Sequence, residues 1–306
     1  MPDHKKYRAT VIKGILGHDA VPRSVIARSM ADLEKMLDRR FRELNERRNG
    51  LARAHAPFRE KLLGELRNDP AWTASIRKLR DTHKSLKSRR VDVPKVSAKK
   101  ERVFLGSIGG TRVPAYDYPW TWSATSGSPS VSASANVNNG QIRLTGSTDS
   151  NNGSSLSARG ALGIFFSSPT ECLSHFRFWS NPALSYDWWD ICAFDSAHSD
   201  GFIGLYAAAY DWAGGQTDTP ADQMISLWSD DSWWSGASDR GSNSAYPLSA
   251  SFEVDANHYY ALWVWCGIHD SAAGWGTFSG SGSGAGREAI TSSSVSRRFQ
   301  RASRFR

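Results

Sequence analysis

The sequence predicts an α+β multidomain chain: an N-terminal amphipathic α-helical hairpin or small bundle, followed by an antiparallel β-sandwich of jelly-roll-like form. Three observations predict it. The hydrophobic period is helical up to about residue 90 and becomes two further on. Lysine stops at Lys100. The charge then reverses: residues 1–103 carry 27 Lys and Arg against 13 Asp and Glu, a net of +14, whereas residues 104–296 carry six Arg, no Lys and 17 acids, a net of −11. Five Arg in the last ten residues restore the overall +8. The expected layout is a basic helical arm over 1–90, a linker over 91–114, an acidic Trp-rich sandwich over 115–296 and a basic tail over 297–306.

In the arm, Ile26, Met30, Leu33, Leu37, Phe41 and Leu44 recur at the spacing of one helix face. Ser24 suits an N-cap and Asn49-Gly50 a stop. Phe58, Leu62 and Leu66 mark a second helix from Pro57, a good first-turn residue, to Arg67, and Asn68-Asp69-Pro70 ends it. Trp72, Ile76, Leu79, His83 and Leu86 mark a third, with two heptads of coiled-coil spacing. Each apolar stripe is narrow and needs a partner, either a neighbouring helix or a second copy, so a homo-oligomer through the arm is expected. The basic run from Arg77 to Lys100 has the charge to neutralise phosphates. No nucleic-acid fold motif accompanies it, and a solvated or acid-docking face is the simpler reading.

Beyond residue 115 the strands predicted are Pro129–Val137, Gln141–Thr145, Leu156–Ser167, His175–Ser180, Tyr186–Phe194, Gly201–Tyr210, Met224–Ser229, Ser249–Val254, Tyr259–Cys266, Trp275–Ser279 and Ala289–Val295. Trp120 and Trp122 share a face of one more. Asn139-Gly140 and Asn152-Gly153 signal hairpin turns. Trp275–Gly286, rich in Gly and Ser, reads as a flexible loop. Many short strands with frequent turns and no interposed helices imply a sandwich. The segment Phe252–Trp265 pairs an alternating strand with a tight polar turn and a second strand begun by Tyr259. It is similar in pattern to carbohydrate-binding sandwiches.

Twelve of the 13 Trp lie in the β region. Pairs at i, i+2, such as Trp263 and Trp265, point to a core. Adjacent pairs put one ring on each side of a strand, leaving one indole to offer its apolar face and single donor. Sugar rings stack on such faces, and neighbouring carboxylates accept their hydroxyl protons. Three segments join the two residue types: Asp187, Trp188, Trp189 and Asp190; Asp211 and Trp212; and Asp230, Asp231, Trp233 and Trp234. They are the candidate ligand-binding residues, for a glycan or, since Trp also anchors protein interfaces, for a partner protein.

Other chemistries are not expected. Cys172, Cys192 and Cys266 are odd in number and lack CxxC spacing, which argues against a disulfide framework and a zinc site. Asp195 with Asp200, and Asp218 with Asp222, make oxygen-rich loops without EF-hand spacing. No metal or cofactor is expected. Only three Glu in residues 104–296, with no marked carboxylate pair, argue against glycoside hydrolysis, so no catalytic residue is assigned and the chain is not read as an enzyme. Met1–Ala20 lacks the ~7–15-residue apolar run of a secretory signal. No stretch approaches the ~18 apolar residues of a membrane span. The expectation is a soluble protein made in the cytoplasm, exported or released by a non-classical route if it acts outside. A non-enzymatic, lectin-like binding or assembly protein follows. The alternatives are a structural part of a phage, tail or injection particle, and a secreted toxin or effector with a basic targeting arm.

Overall fold

The computed structural model describes residues 21–66, 68–87, 110–112, 117–126, 130–138, 140–147, 154–168, 174–180, 183–191, 197–232, 237–243, 248–255, 257–272, 278–286 and 290–292. Two helices come first, α1 (Arg23–Leu66) and α2 (Pro70–Lys87). Fourteen strands follow among the described residues: β1 (Gly110–Arg112), β2 (Tyr118–Ser126), β3 (Ser130–Asn136), β4 (Gln141–Ser147), β5 (Ser154–Ser168), β6 (Ser174–Ser180), β7 (Ala183–Ile191), β8 (Ala197–Asp211), β9 (Gln216–Ser232), β10 (Ala237–Asn243), β11 (Leu248–Val254), β12 (His258–Ala272), β13 (Phe278–Gly286) and β14 (Ile290–Ser292).

The strands form three sheets in the orders β2-β5-β12-β8-β9, β10-β7-β13-β4-β3 and β1-β14-β6-β11. Every pairing is antiparallel. The first sheet is the middle layer. One face meets the other two sheets through Ile142 and Leu144 of β4, Trp188 of β7 and Phe252 and Val254 of β11. These pack on Leu162, Ile164 and Phe166 of β5, Leu205 of β8 and Leu262 and Val264 of β12. Residues one step out of phase, including Phe165, Phe202, Tyr206, Trp263 and Trp265, face the opposite way. There they meet Val25, Ile26, Leu33, Met36, Leu37 and Phe41 of α1. The period of two thus builds two cores on one sheet.

This placement of α1 differs from a free-standing arm, because its first half belongs to the sheet's own core. Burying Val25, Ile26, Leu33, Met36, Leu37 and Phe41 contributes on the order of 10–15 kcal/mol before chain entropy is charged against it. The first and second expected helices are one helix of 44 residues, running through Asn49-Gly50 and Pro57. A proline inside a helix removes one backbone bond. Here that bond is one of many, and Pro57 is exposed. The third expected helix is α2. Asp69 caps it, accepting from Ala71 N at 2.8 Å and Trp72 N at 3.4 Å, with Pro70 in the first turn. Helix α2 meets β7; a hairpin with α1 is not seen among the described residues.

Strand β13 corrects a second expectation. Phe278–Gly286 lies between β4 and β7 and pairs with both. In register, its Gly280 and Ser281 stand beside Trp189 and Trp188. Residues without bulk sit next to the bulkiest strand in the sheet. Strand β10, which the alternation does not announce, pairs with β7. Strands β3 and β4 form a hairpin at the expected place, with Gly140 at φ 68° and its N–H donating to the Asn136 carbonyl at 2.9 Å; Asn139 lies outside the described residues. Cys266 is buried and not in a disulfide. The Asn152-Gly153 turn, Cys172, Cys192, the tail and most of the linker lie outside the described residues.

Candidate binding surface at the β8–β9 turn

The middle sheet and α1 are tied together by side chains that also shape the surface. Arg159 of β5 is buried, with its guanidinium 4.2 Å from the centre of the Phe41 ring and 4.0 Å from that of Trp122. It ion-pairs with Asp38 of α1. Burial lowers the Arg159 pKa, and Asp38 opposes that shift. Trp263 Nε1 donates to Ser29 Oγ at 2.9 Å, and Tyr210 OH donates to Asp32 Oδ2 at 2.9 Å. Burial is the main cause pushing the Tyr210 phenol up, so it stays a donor. Arg40 pairs with Asp222 of β9 at 2.7 Å.

These ties set the start of α1 beside the turn that joins β8 to β9. Asp211 N donates to the Gly215 carbonyl and Gly214 N to the Asp211 carbonyl, both at 2.9 Å. Gly215 N donates to Asp211 Oδ1 at 2.7 Å. Gly214 sits at φ +85°, where a side chain would be strained. Across the gap, Arg28 Nη1 donates to the Gly214 carbonyl at 2.6 Å. A rigid turn therefore holds Trp212 outward at 56% exposure. Beside it stand Asp211 Oδ2, an acceptor, and the remaining N–H groups of the exposed Arg28. The first turn of α1 carries no acid. The turn thus carries an exposed indole and a carboxylate, with an exposed guanidinium bonded to it across the gap.

The other sequence candidates fall elsewhere. Trp188 is 8% exposed and packed between the sheets, so its face is not available for stacking. Asp187 and Asp190 are buried. Burial, then the nearby Asp270, Asp230 and Asp200, pushes the Asp190 carboxyl well above the usual range. Asp230 is partly buried. Surface recognition by Asp187, Trp188 and Asp190 is thereby corrected: strand alternation turns Trp188 and Asp190 inward. Topology nonetheless brings residues 187–190 and 230–232 to the same end of the sandwich, since Asp190 pairs with Ala237 and Ser232 with Ala197. The side chains of Trp189 and Asp231, and all of Trp233 and Trp234, lie outside the described residues. Asp211 and Trp212 are at the far end of β8. Arg28 is the residue sequence reasoning missed; nothing in a basic helix singles out one Arg for a turn 186 positions away.

Among the described residues no group of three or more His, Cys, Asp or Glu is disposed to hold a metal ion. No described helix is long and apolar enough to cross a membrane. No family model matches the chain, and no curated protein matches it. Solved structures give weak likenesses. The enzymatically active domain of bacteriophage CBA120 tailspike protein 4 aligns at 11% identity and TM-score 0.18, over 55% of this chain and 19% of that one. TmCBM61 in complex with beta-1,4-galactotriose aligns at 7% identity and TM-score 0.15, over 54% of this chain and 86% of that one. The chain thus spans about a fifth of the tailspike chain. Scores this low leave function to the molecule's own geometry.

Proposed function

We propose that the chain is a non-enzymatic recognition protein whose sandwich, of jelly-roll form, binds a glycan at the Asp211–Trp212 turn. The observation that carries the reading is the outward Trp212 on a hydrogen-bonded turn, beside Asp211 Oδ2 and Arg28. Stacking on an indole supplies apolar contact at little entropic cost, because the turn is already ordered. The carboxylate accepts from one sugar hydroxyl, and the guanidinium donates to another oxygen. The strand order supports the jelly-roll form: β4-β13-β7-β10 face β5-β12-β8-β9, the eight-stranded pattern of two Greek keys.

The test is a saccharide array probed with the full chain. Trp212→Ala is expected to cut affinity about 30-fold, the scale of a ~2 kcal/mol hot spot, with Trp212→Phe retaining part of it. Absence of binding to every saccharide, or equal binding by Trp212→Ala, overturns the reading.

A second reading, a structural component of a particle such as a phage tail or injection system, is favoured by the length of α1. Residues 45–66 run about 33 Å past Leu44 at 1.5 Å per residue, and Phe58 on that stretch is 62% exposed. An overhang of this kind suits anchoring or self-association. Light scattering of the full chain and of Phe58→Glu tests it: an oligomer that the substitution dissociates supports the role, and a monomer in both removes it.

A further inference from the structure

At the end of the sandwich opposite the Trp212 turn, acids from three strands, Asp270 of β12, Asp190 of β7 and Asp230 of β9, enter the space between the sheets. Asp270 of β12 accepts from Ser199 Oγ at 2.8 Å, and that oxygen in turn accepts from Trp228 Nε1 at 3.0 Å. Asp200 of β8, one step out of phase with Ser199, is on the other face of the middle sheet and accepts from Ser229 Oγ at 2.7 Å. Asp190 of β7 is different. It is fully buried, and neither of its carboxylate oxygens accepts a hydrogen bond from any donor. The charges that act on it are Asp270, Asp230 and Asp200, all negative, and the side chain within hydrogen-bonding reach is the carboxyl of Asp230.

An ionised carboxylate isolated in an interior costs several kcal/mol, and a second beside it makes the cost worse. Two carboxylates have no donor between them, so the contact becomes a bond only if one carries a proton. Among the described side chains around it, no cation is on the same face. His198 and His269 alternate with Ser199 and Asp270 and so take the opposite face of the middle sheet; His269 Nδ1 is 2.8 Å from Ser157 Oγ there. On β13, Ser279 is the register partner of Asp190. On β10, Ala237 is the register partner of Asp190, and Arg240 that of Asp187 on the alternate face. Ser147 at the end of β4 is buried and uncharged.

We infer that Asp190 enters the interior as a neutral carboxylic acid that donates its proton to Asp230, forming a latch that joins β7 of one sheet to β9 of the other. The proton is the ligand of this site. Its loss leaves two facing anions and loosens the end of the sandwich at which β9 finishes. The raised Asp190 pKa sets the sign. Below the ordinary carboxylate value near 4, folded and unfolded chains both hold the proton and no penalty arises. Above it the unfolded chain releases the proton while the folded chain keeps it. Stability then falls as pH rises, until the folded group itself ionises.

The test uses the full chain and Asp190→Asn, whose amide keeps a donor toward Asp230 but does not titrate. Denaturant unfolding is followed from about pH 5 to about pH 8. The infrared carbonyl stretch of a neutral carboxylic acid is recorded on the wild-type protein at neutral pH, which requires no variant to fold. The expected results are a buried neutral-acid band at neutral pH and a wild-type folded-to-unfolded ratio that falls by up to about tenfold per pH unit. The slope is expected to shrink in Asp190→Asn by the share of one proton. Absence of the band, or an unchanged slope in Asp190→Asn, overturns the latch.

Discussion

Arg159 concentrates the energetics of the α1 contact in one side chain. It is buried, whereas the Asp38 side chain is 38% exposed. Removing Asp38 strands a buried cation, so Asp38→Ala is expected to cost about 3 kcal/mol. Arg159→Met, which keeps an apolar stem between Phe41 and Trp122, is expected to cost less than half of that. Equilibrium unfolding of the two variants checks the order, and a reversed order would mean the ion pair is idle. Gly163 is the second such residue. A Cβ built there lies 2.6 Å from the Trp263 ring. The ring is fully buried and rigid, so Gly163→Ala is expected to destabilise by about 1–3 kcal/mol, measured as a shift in denaturant midpoint at constant m. Neither residue is legible in the sequence. A lone Arg in an acidic region acquires its role from a helix 121 positions away, and a Gly in a strand from the Trp263 ring on the neighbouring strand β12.

Helix α1 divides into two halves with different physics. From Val25 to Phe41 its apolar side is buried against the middle sheet; past Leu44 the described residues are mostly exposed or half-buried. Leu37→Ala and Phe41→Ala should therefore cost about 2–5 kcal/mol each, and Phe58→Ala should stay within about 0.5 kcal/mol. Thermal unfolding of the three variants tests this, and equal effects would contradict it. The stripe from Ile26 to Leu44 was legible as a helix, because 3.6-residue spacing is local information. What it packs on was not, since periodicity names a buried face and not its partner. The same limit applies to the strands. Alternation located most of them, but β10 has no apolar signature, and β13 is a Gly-Ser run whose strand character comes from β4 and β7 on either side.

At the scale of the molecule, the sandwich is framed at two ends by different chemistry: an ordered turn with an outward indole, and an interior set of acids. The sequence grouped both as Trp/Asp segments, because adjacency in sequence does not distinguish a residue at a turn from one on a buried strand. Trp212 lies just past the end of β8 and is exposed; Trp188 lies within β7 and is covered. The charge reversal near residue 100 also has a structural counterpart. Basic and acidic residues meet across the α1–sheet boundary, as Arg40 with Asp222 and Arg28 with the Asp211–Gly215 turn, so raised salt is expected to weaken this boundary modestly.

The central claim is that the first half of α1 is part of the sandwich core and so fixes the Trp212 turn, while the second half projects from it. Native-state hydrogen exchange of the full chain tests it most directly. The account predicts amides of residues 25–41 protected to the same degree as those of β12, with residues 45–66 exchanging much faster. Uniformly fast exchange along all of α1, with β12 still protected, would contradict it.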